Sequence, residues 1–375
     1  MFGKKKAREQ VNNFSKFPSF RGNLARVDFS QMLSSNFRAV PVEKTAPVED
    51  PGDPFRNIGE RTRQPAFSVA ESLDEGIDAL REGNFEHAGT CFQRVVFVDL
   101  EHEYAQSMLK MADYWVEKSR RYGFLPQNER VDFLLESWKS FNEVVLSRLE
   151  FVPDRALFAI RGWLFGQVAE YIEVQLKEKE SPQLYLKLGR AYKMRGDYDL
   201  AIEAYAEGVS MSREDPCLLA ELADCYAIVD EEANARIFFR EALFHGAMSI
   251  DFDYLDSAMI TNLQKKVREI RPEDKYSPEW LGVYGVLWGL FSIAREMKPA
   301  EYARLNQSIH MLRSEIEDIP VRREILVPRL IYRLFWLIDY YRNLTSEPEA
   351  AKARIRSALL DIRFLDERIA KEYKL

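Results

Sequence analysis

The chain has 375 residues, 46% of them apolar and 30% charged, with a formal net charge of −7. That is ample apolar material for a large core, and only 17 Gly and 16 Pro over this length argue against a turn-rich all-β fold. Three cysteines, Cys91, Cys217 and Cys225, are an odd count with no CxxC pair, which fits small buried thiols in a reducing compartment.

The opening MFGKKKAREQ has basic residues with no apolar run behind them, so no secretory signal is expected. Residues 1–38 carry eight Lys or Arg against Glu9 and Asp28, a net of +6, which leaves −13 for the remainder. Six prolines in 1–66 and the stretch VPVEKTAPVEDPGDP show no periodicity, so this segment is expected to be a disordered or extended arm. Within it DFSQMLSSNF (28–37) would place Phe29, Met32, Leu33 and Phe37 on one side of a short helix. Together with Lys4, Lys5 and Lys6 they are the arm's candidate docking residues. The expected target is a protein partner or, weakly and peripherally, an anionic membrane face, where each basic residue contributes ~1 kcal/mol.

Residues 69–98 read as a helix carrying Gly76, a turn at Gly83, and a second helix with Phe85, Ala88 and Phe92. Between 103 and 180 helical stripes follow. One runs through Phe133, Leu134, Trp138, Phe141 and Val145, and another through Leu157, Ile160, Leu164 and Val168; both predict hairpins of altered length.

The stretch LYLKLGRAYKMRGDYDLAIEAYAEGV (184–209) alternates tyrosines with very small residues. Ser181-Pro182 predicts a capped helix start, and Tyr185, Leu188 and Tyr192 form its stripe. Gly196-Asp197 ends that helix, and a second one from Tyr198 is striped by Ala201, Tyr205 and Gly208. Two antiparallel helices approach closely only where side chains are small, and Gly189 and Ala201 supply that contact while the tyrosines fill the space beside it. The pattern recurs 34 residues on: Asp215-Pro216 repeats the start, Leu219, Leu222, Ala223 and Tyr226 take the first-helix slots, and Ala235, Phe239 and Ala242 those of the second. This pairing resembles the tetratricopeptide repeat (TPR), clearly at 182–215 and 216–249 and as a degenerate copy near 69–102. The resemblance implies an all-α solenoid of antiparallel hairpins wound into a right-handed superhelix over 67–250.

The remaining residues, 251–375, predict a helical extension packed on or capping the solenoid. Ser277-Pro278-Glu279 starts a helix whose apolar run, WLGVYGVLWGLFSIA (280–294), falls short of the ~20 residues that span a bilayer and reads as buried. Pro299 opens a helix striped by Tyr302, Leu305, Ile309, Leu312 and Ile316. Pro328 opens a broadly apolar one to about Arg342. Ser346 and Glu349 form a capping box for a final helix through Ile355, Leu359, Ile362 and Ile369.

Chemistry is sparse. His87, His102, His245 and His310 lie far apart without metal-ligand spacing to Cys, Asp or Glu, and no phosphate-binding glycine loop or nucleophile elbow occurs. Asp251, Asp253 and Asp256 miss the calcium-loop register, since Leu255, Asp256 and Asn262 stand at the remaining positions; a solvated linker with a helix cap is expected there. No cofactor or metal is expected, and the acidic body speaks against nucleic acid. The resemblance implies a partner-binding groove lined by first helices, at Gln183, Leu186, Arg190, Lys193 and Met194, then Cys217, Ala220, Asp224, Ala227 and Ile228. Arg190 and Lys193 suit an acidic peptide. Leu186 and Arg190 stand where chaperone-binding members of the family carry Lys and Asn, which speaks against capture of a chaperone's C-terminal carboxylate. The expectation is a non-catalytic, cytoplasmic adaptor or scaffold for a protein partner, in a setting such as a flagellar motor or secretion apparatus. The rivals are a chaperone-like or regulatory protein that sequesters a client, and an enzyme built on 250–375.

Overall fold

A computed structural model describes residues 68–272, 274–291, 297–344 and 348–373. Among them are fifteen α-helices and no strand. The arm, with Lys4, Lys5, Lys6, Phe29, Met32, Leu33 and Phe37, lies outside the described residues.

The first hairpin pairs α1 (Val69–Arg81) with α2 (Phe85–Val98). Gly76 abuts the ring of Phe92 so closely that a Cβ would overlap it, which is how a small residue on one helix receives a large one from the next. Two long helices follow, α3 (Glu103–Phe124) and α4 (Gln127–Val144), then α5 (Asp154–Glu178). The helix α5 is a single 25-residue element that packs against α1, α4 and α6. Its predicted stripe faces inward, with Ile160, Leu164 and Val168 buried.

Two consecutive hairpins then stand in the expected register: α6 (Pro182–Arg195) with α7 (Tyr198–Met211), and α8 (Pro216–Ile228) with α9 (Glu232–Gly246). The Ser181 hydroxyl accepts from the Leu184 amide at 3.2 Å. The Asp215 carboxylate accepts from Cys217 and Leu218 at 2.9 and 3.2 Å. Both caps precede a proline in the first turn, where its missing N–H leaves no helical bond unmade. Gly189 abuts Tyr205 as Gly76 abuts Phe92, and at the corresponding sites Ala223 and Phe239 are both buried.

All three of these hairpins turn the same way. Gly83, Gly196 and Asp230 have φ of +76°, +91° and +62°. The next amide in each case reaches back five residues: Asn84 to Ala79 at 2.8 Å, Asp197 to Tyr192 at 3.0 Å, Glu231 to Tyr226 at 2.8 Å. A left-handed residue after the helix lets its last carbonyls find donors.

The apolar interior does not divide at residue 250. One core is drawn from α1–α6 with Ala204 of α7, and is centred on aromatic packing of Phe85, Trp115, Phe141 and Trp163. The other runs without interruption from Ala201 on α7 to Ile369 near the end of the described chain. The C-terminal helices therefore share a core with the hairpins: α10 (Ala258–Ile270) packs on α8, and α11 (Ser277–Leu287) and α13 (Arg323–Asn343) pack on α9.

Three C-terminal expectations change. The run 280–294 is not one helix, because α11 stops at Leu287. Gly289 is left-handed at +74°, and the Phe291 amide returns to the Gly285 carbonyl at 3.1 Å, with the Phe291 ring against Gly285. The helix starting at Pro328 begins five residues earlier, at Arg323, with the proline enclosed in it. The helix before it, α12 (Pro299–Asp318), buries Leu305, Ile309 and Ile316 as its stripe predicts. The final helix is two, α14 (Pro348–Leu365) and α15 (Glu367–Glu372). Extended Asp366 separates them and accepts from the amides of Arg368 and Ile369 at 2.9 and 3.2 Å. The predicted capping residue Ser346 lies outside the described residues. Among those residues, no helix is long and apolar enough to cross a membrane.

Candidate functional site

The predicted groove is the face where α6 and α8 lie side by side, and the 34-residue register of the hairpins sets its chemistry. A residue on α6 meets the one 31 positions later on α8, one helical turn short of a full repeat. Arg190 donates through Nε to both carboxylate oxygens of Glu221, at 2.8 and 3.0 Å. One turn on, Lys193 Nζ donates to Asp224 at 2.6 Å. The Tyr205 hydroxyl, from α7, donates to the second oxygen of Glu221 at 2.8 Å.

A third partner completes the arrangement. The segment Ser249–Ser257 lies across this face and bonds it through side chains and main chain. Cys217 Sγ donates to the Ser249 carbonyl at 2.9 Å. Asp251 stands 3.5 Å from the Arg190 guanidinium, which stacks on the Tyr254 ring 3.5 Å from its centroid. Lys193 donates to the Tyr254 carbonyl and pairs with Asp256 at 3.0 Å. Asp224 accepts from the amides of Asp256 and Ser257 at 3.0 and 2.9 Å, so it also positions the entry to α10.

Lys193 and Asp224 are thereby sealed, 4% and 0% exposed at their side chains. Their sequence assignment as open, partner-facing groove residues is corrected: the chain's own acidic segment occupies them. The physical reason is that a buried ammonium and carboxylate must be compensated: beyond their own pair, Lys193 takes Asp256 and the Tyr254 carbonyl, and Asp224 takes the amides of Asp256 and Ser257. The linker expected to be solvated is accordingly docked. Arg190 is half-buried on the same segment. Ala220 is buried, and Cys217, Leu186, Met194, Ala227 and Ile228 are half-buried; only Gln183 is exposed.

Charge states follow from this packing. Burial works against the Lys193 ammonium, but Asp224 and Asp256 outweigh it and raise its pKa. Burial also raises the Glu221 carboxyl, opposed by Arg190 and by the Tyr205 hydroxyl. Burial pushes the Cys225 thiol up to about 12, which leaves it protonated and unreactive.

Sequence reasoning missed Glu221, Tyr254 and the docking role of Asp256. A signal existed in the opposite charges 31 residues apart, Arg190 with Glu221 and Lys193 with Asp224. It missed a second grouping as well. His87 and Cys91 are four apart on α2, and Glu75 faces them from α1; their ligand atoms all lie within 4.8 Å of one another. The expectation that no histidine has ligand spacing is therefore corrected. Positions i and i+4 share a helix face, and the third group comes from the hairpin partner. His310 is exposed on α12.

No family model matches the chain. No curated protein matches it at the level where a relative is recognised.

Proposed function

We propose that this chain is a non-catalytic adaptor of the tetratricopeptide type, a solenoid of hairpins in a right-handed superhelix. It holds a protein segment along the first helices of its hairpins and supports the assembly of a larger complex. One observation carries the reading. The α6/α8 face grips an acidic segment, 249–257, by the Arg190–Asp251 ion pair, a stacked ring and main-chain hydrogen bonds, which is the chemistry by which a concave helical surface binds another chain. With that segment as the floor, the rim formed by Gln183, Leu186, Met194, Ala227 and Ile228 meets the partner. The basic arm tethers the assembly to a second protein or to an anionic membrane face.

The test is affinity capture from native extract with the full chain and with a rim variant, Gln183→Lys/Ile228→Glu, alongside size-exclusion chromatography. The expected result is a recurrent partner recovered in a large assembly and reduced at least tenfold by the variant. Recovery in a small one-to-one complex would favour client sequestration instead. Elution as a free monomer with no recurrent partner would sink both.

A further inference from the structure

We propose that Glu75, His87 and Cys91 form a site for one zinc(II) ion that clips α1 to α2. The three side chains offer one carboxylate oxygen, one imidazole nitrogen and one sulfur, a donor set suited to zinc. Glu75 Oε1 lies 3.0 Å from His87 Nε2, and Cys91 Sγ lies 3.7 Å from the same nitrogen. Around tetrahedral zinc, bond lengths of ~2.0–2.3 Å place neighbouring ligand atoms ~3.3–3.6 Å apart. The nitrogen and oxygen need to separate by only a few tenths of an ångström, and the sulfur is already close to its required distance from the nitrogen. The sulfur and carboxylate oxygen, within 4.8 Å of each other, are brought to theirs by rotation of the half-exposed Glu75 side chain.

The surroundings fit an ion that enters from solvent. Glu75 and His87 are 49% and 41% exposed at their side chains, while Cys91 is buried beneath them. Three protein ligands leave one position of a tetrahedral ion for a water molecule. The two ligands on α2 are set in place independently of the metal, because the Asn84 side chain caps the helix by accepting from the His87 amide at 3.2 Å. Arg94 makes a long ion pair with the other oxygen of Glu75, at 3.7 Å, and as a half-exposed side chain it can swing aside. On binding, the Cys91 thiol gives its proton to solvent and its sulfur bonds the ion. The arm adds no competing ligand of this kind, since residues 1–67 contain neither His nor Cys.

The experiment uses the full chain, stripped with chelator and titrated with cobalt(II), whose thiolate charge-transfer band reports a sulfur ligand, and then with zinc(II) as competitor. Wild type and Cys217→Ser are expected to develop the band at one equivalent and to lose it to zinc. His87→Gln is expected to bind more than ~100-fold more weakly, beyond the 10–100-fold typical of changes around a metal site's outer shell, and Cys91→Ser to show no band. Zinc should also raise the melting temperature of wild type and leave that of His87→Gln unchanged. Because Glu75 and His87 are surface residues, Glu75→Gln and His87→Gln remain informative if Cys91→Ser fails to fold. No thiolate band in wild type, or an undiminished one in His87→Gln, would overturn the proposal.

Discussion

Lys193 on α6 donates to the Asp224 carboxylate on α8 at 2.6 Å, with both side chains out of water. The same carboxylate takes the amides of Asp256 and Ser257, so a single group joins two hairpins to the segment that leads into the C-terminal helices.

Removing that group leaves two amides without an acceptor and takes the only buried carboxylate from Lys193, which keeps the exposed Asp256 and the Tyr254 carbonyl. Asp224→Ala is expected to cost about 3–5 kcal/mol, the range for breaking a buried pair from one side. Lys193→Met should cost less, because Asp224 keeps its two backbone donors. Urea unfolding of the two variants checks the order; equal midpoints would show that the amides find water instead.

The raised pKa of Lys193 has a pH signature. A base whose folded pKa lies above its unfolded value contributes stability that is fully present below the unfolded value, about 10.4 for lysine. That contribution is lost as pH rises through the folded value. The stability gap between wild type and Lys193→Met should therefore be constant at neutral pH and shrink only above about pH 10. Melting curves of both proteins across the alkaline range measure it. A gap that closes in acid would point to a carboxylate instead.

Close helix approach depends on Gly189 against Tyr205 and Gly76 against Phe92. Gly189→Ala is expected to destabilise by about 1–3 kcal/mol through overpacking. Gly166 lies in the interior of α5, and apart from the adjoining helix backbone and neighbouring residues no atom comes within 4 Å of the place an alanine methyl would take there. Gly166→Ala should stabilise by about 0.5–1 kcal/mol, since only the helix propensity changes. Thermal midpoints of opposite sign for two chemically identical substitutions are the expected outcome.

Asp230 stands left-handed where the two earlier hairpins have glycine. An L side chain in that conformation carries about 1–2 kcal/mol of strain, less for Asp. Asp230→Gly is expected to be neutral or stabilising by up to about 1 kcal/mol, while Gly196→Ala is expected to destabilise by about 1–2 kcal/mol. Denaturant midpoints decide. A large loss from Asp230→Gly would mean that its carboxylate does more than occupy a turn.

Much of the architecture was legible from residue order. Helix starts at Ser181-Pro182 and Asp215-Pro216, the turn at Gly196 and the small-against-large pairs depend on neighbours within a few tens of residues. Local sterics and helix periodicity specify such features before any long-range contact forms. The same holds for the stripes of α5 and α12. The breaks after α11 and between α14 and α15 were not legible. At the first, Phe291 folds back onto Gly285 within an apolar run that reads as continuous helix. At the second, Asp366 caps α15 while Arg271, 95 residues away in sequence, meets it at 3.3 Å.

The candidate site shows the same division. Sequence by itself determined that Arg190, Lys193 and Asp224 fall on first helices in 34-residue register, because periodicity alone assigns residues to a face. Only the tertiary structure decided what lies on that face. Whether a cation waits in solvent or is sealed by a carboxylate 31 or 63 residues away depends on how the intervening chain returns, and hydrophobic packing of α10 on α8 brings Asp256 to Lys193. The grouping of Glu75 with His87 and Cys91 arises likewise when α1 and α2 close on each other.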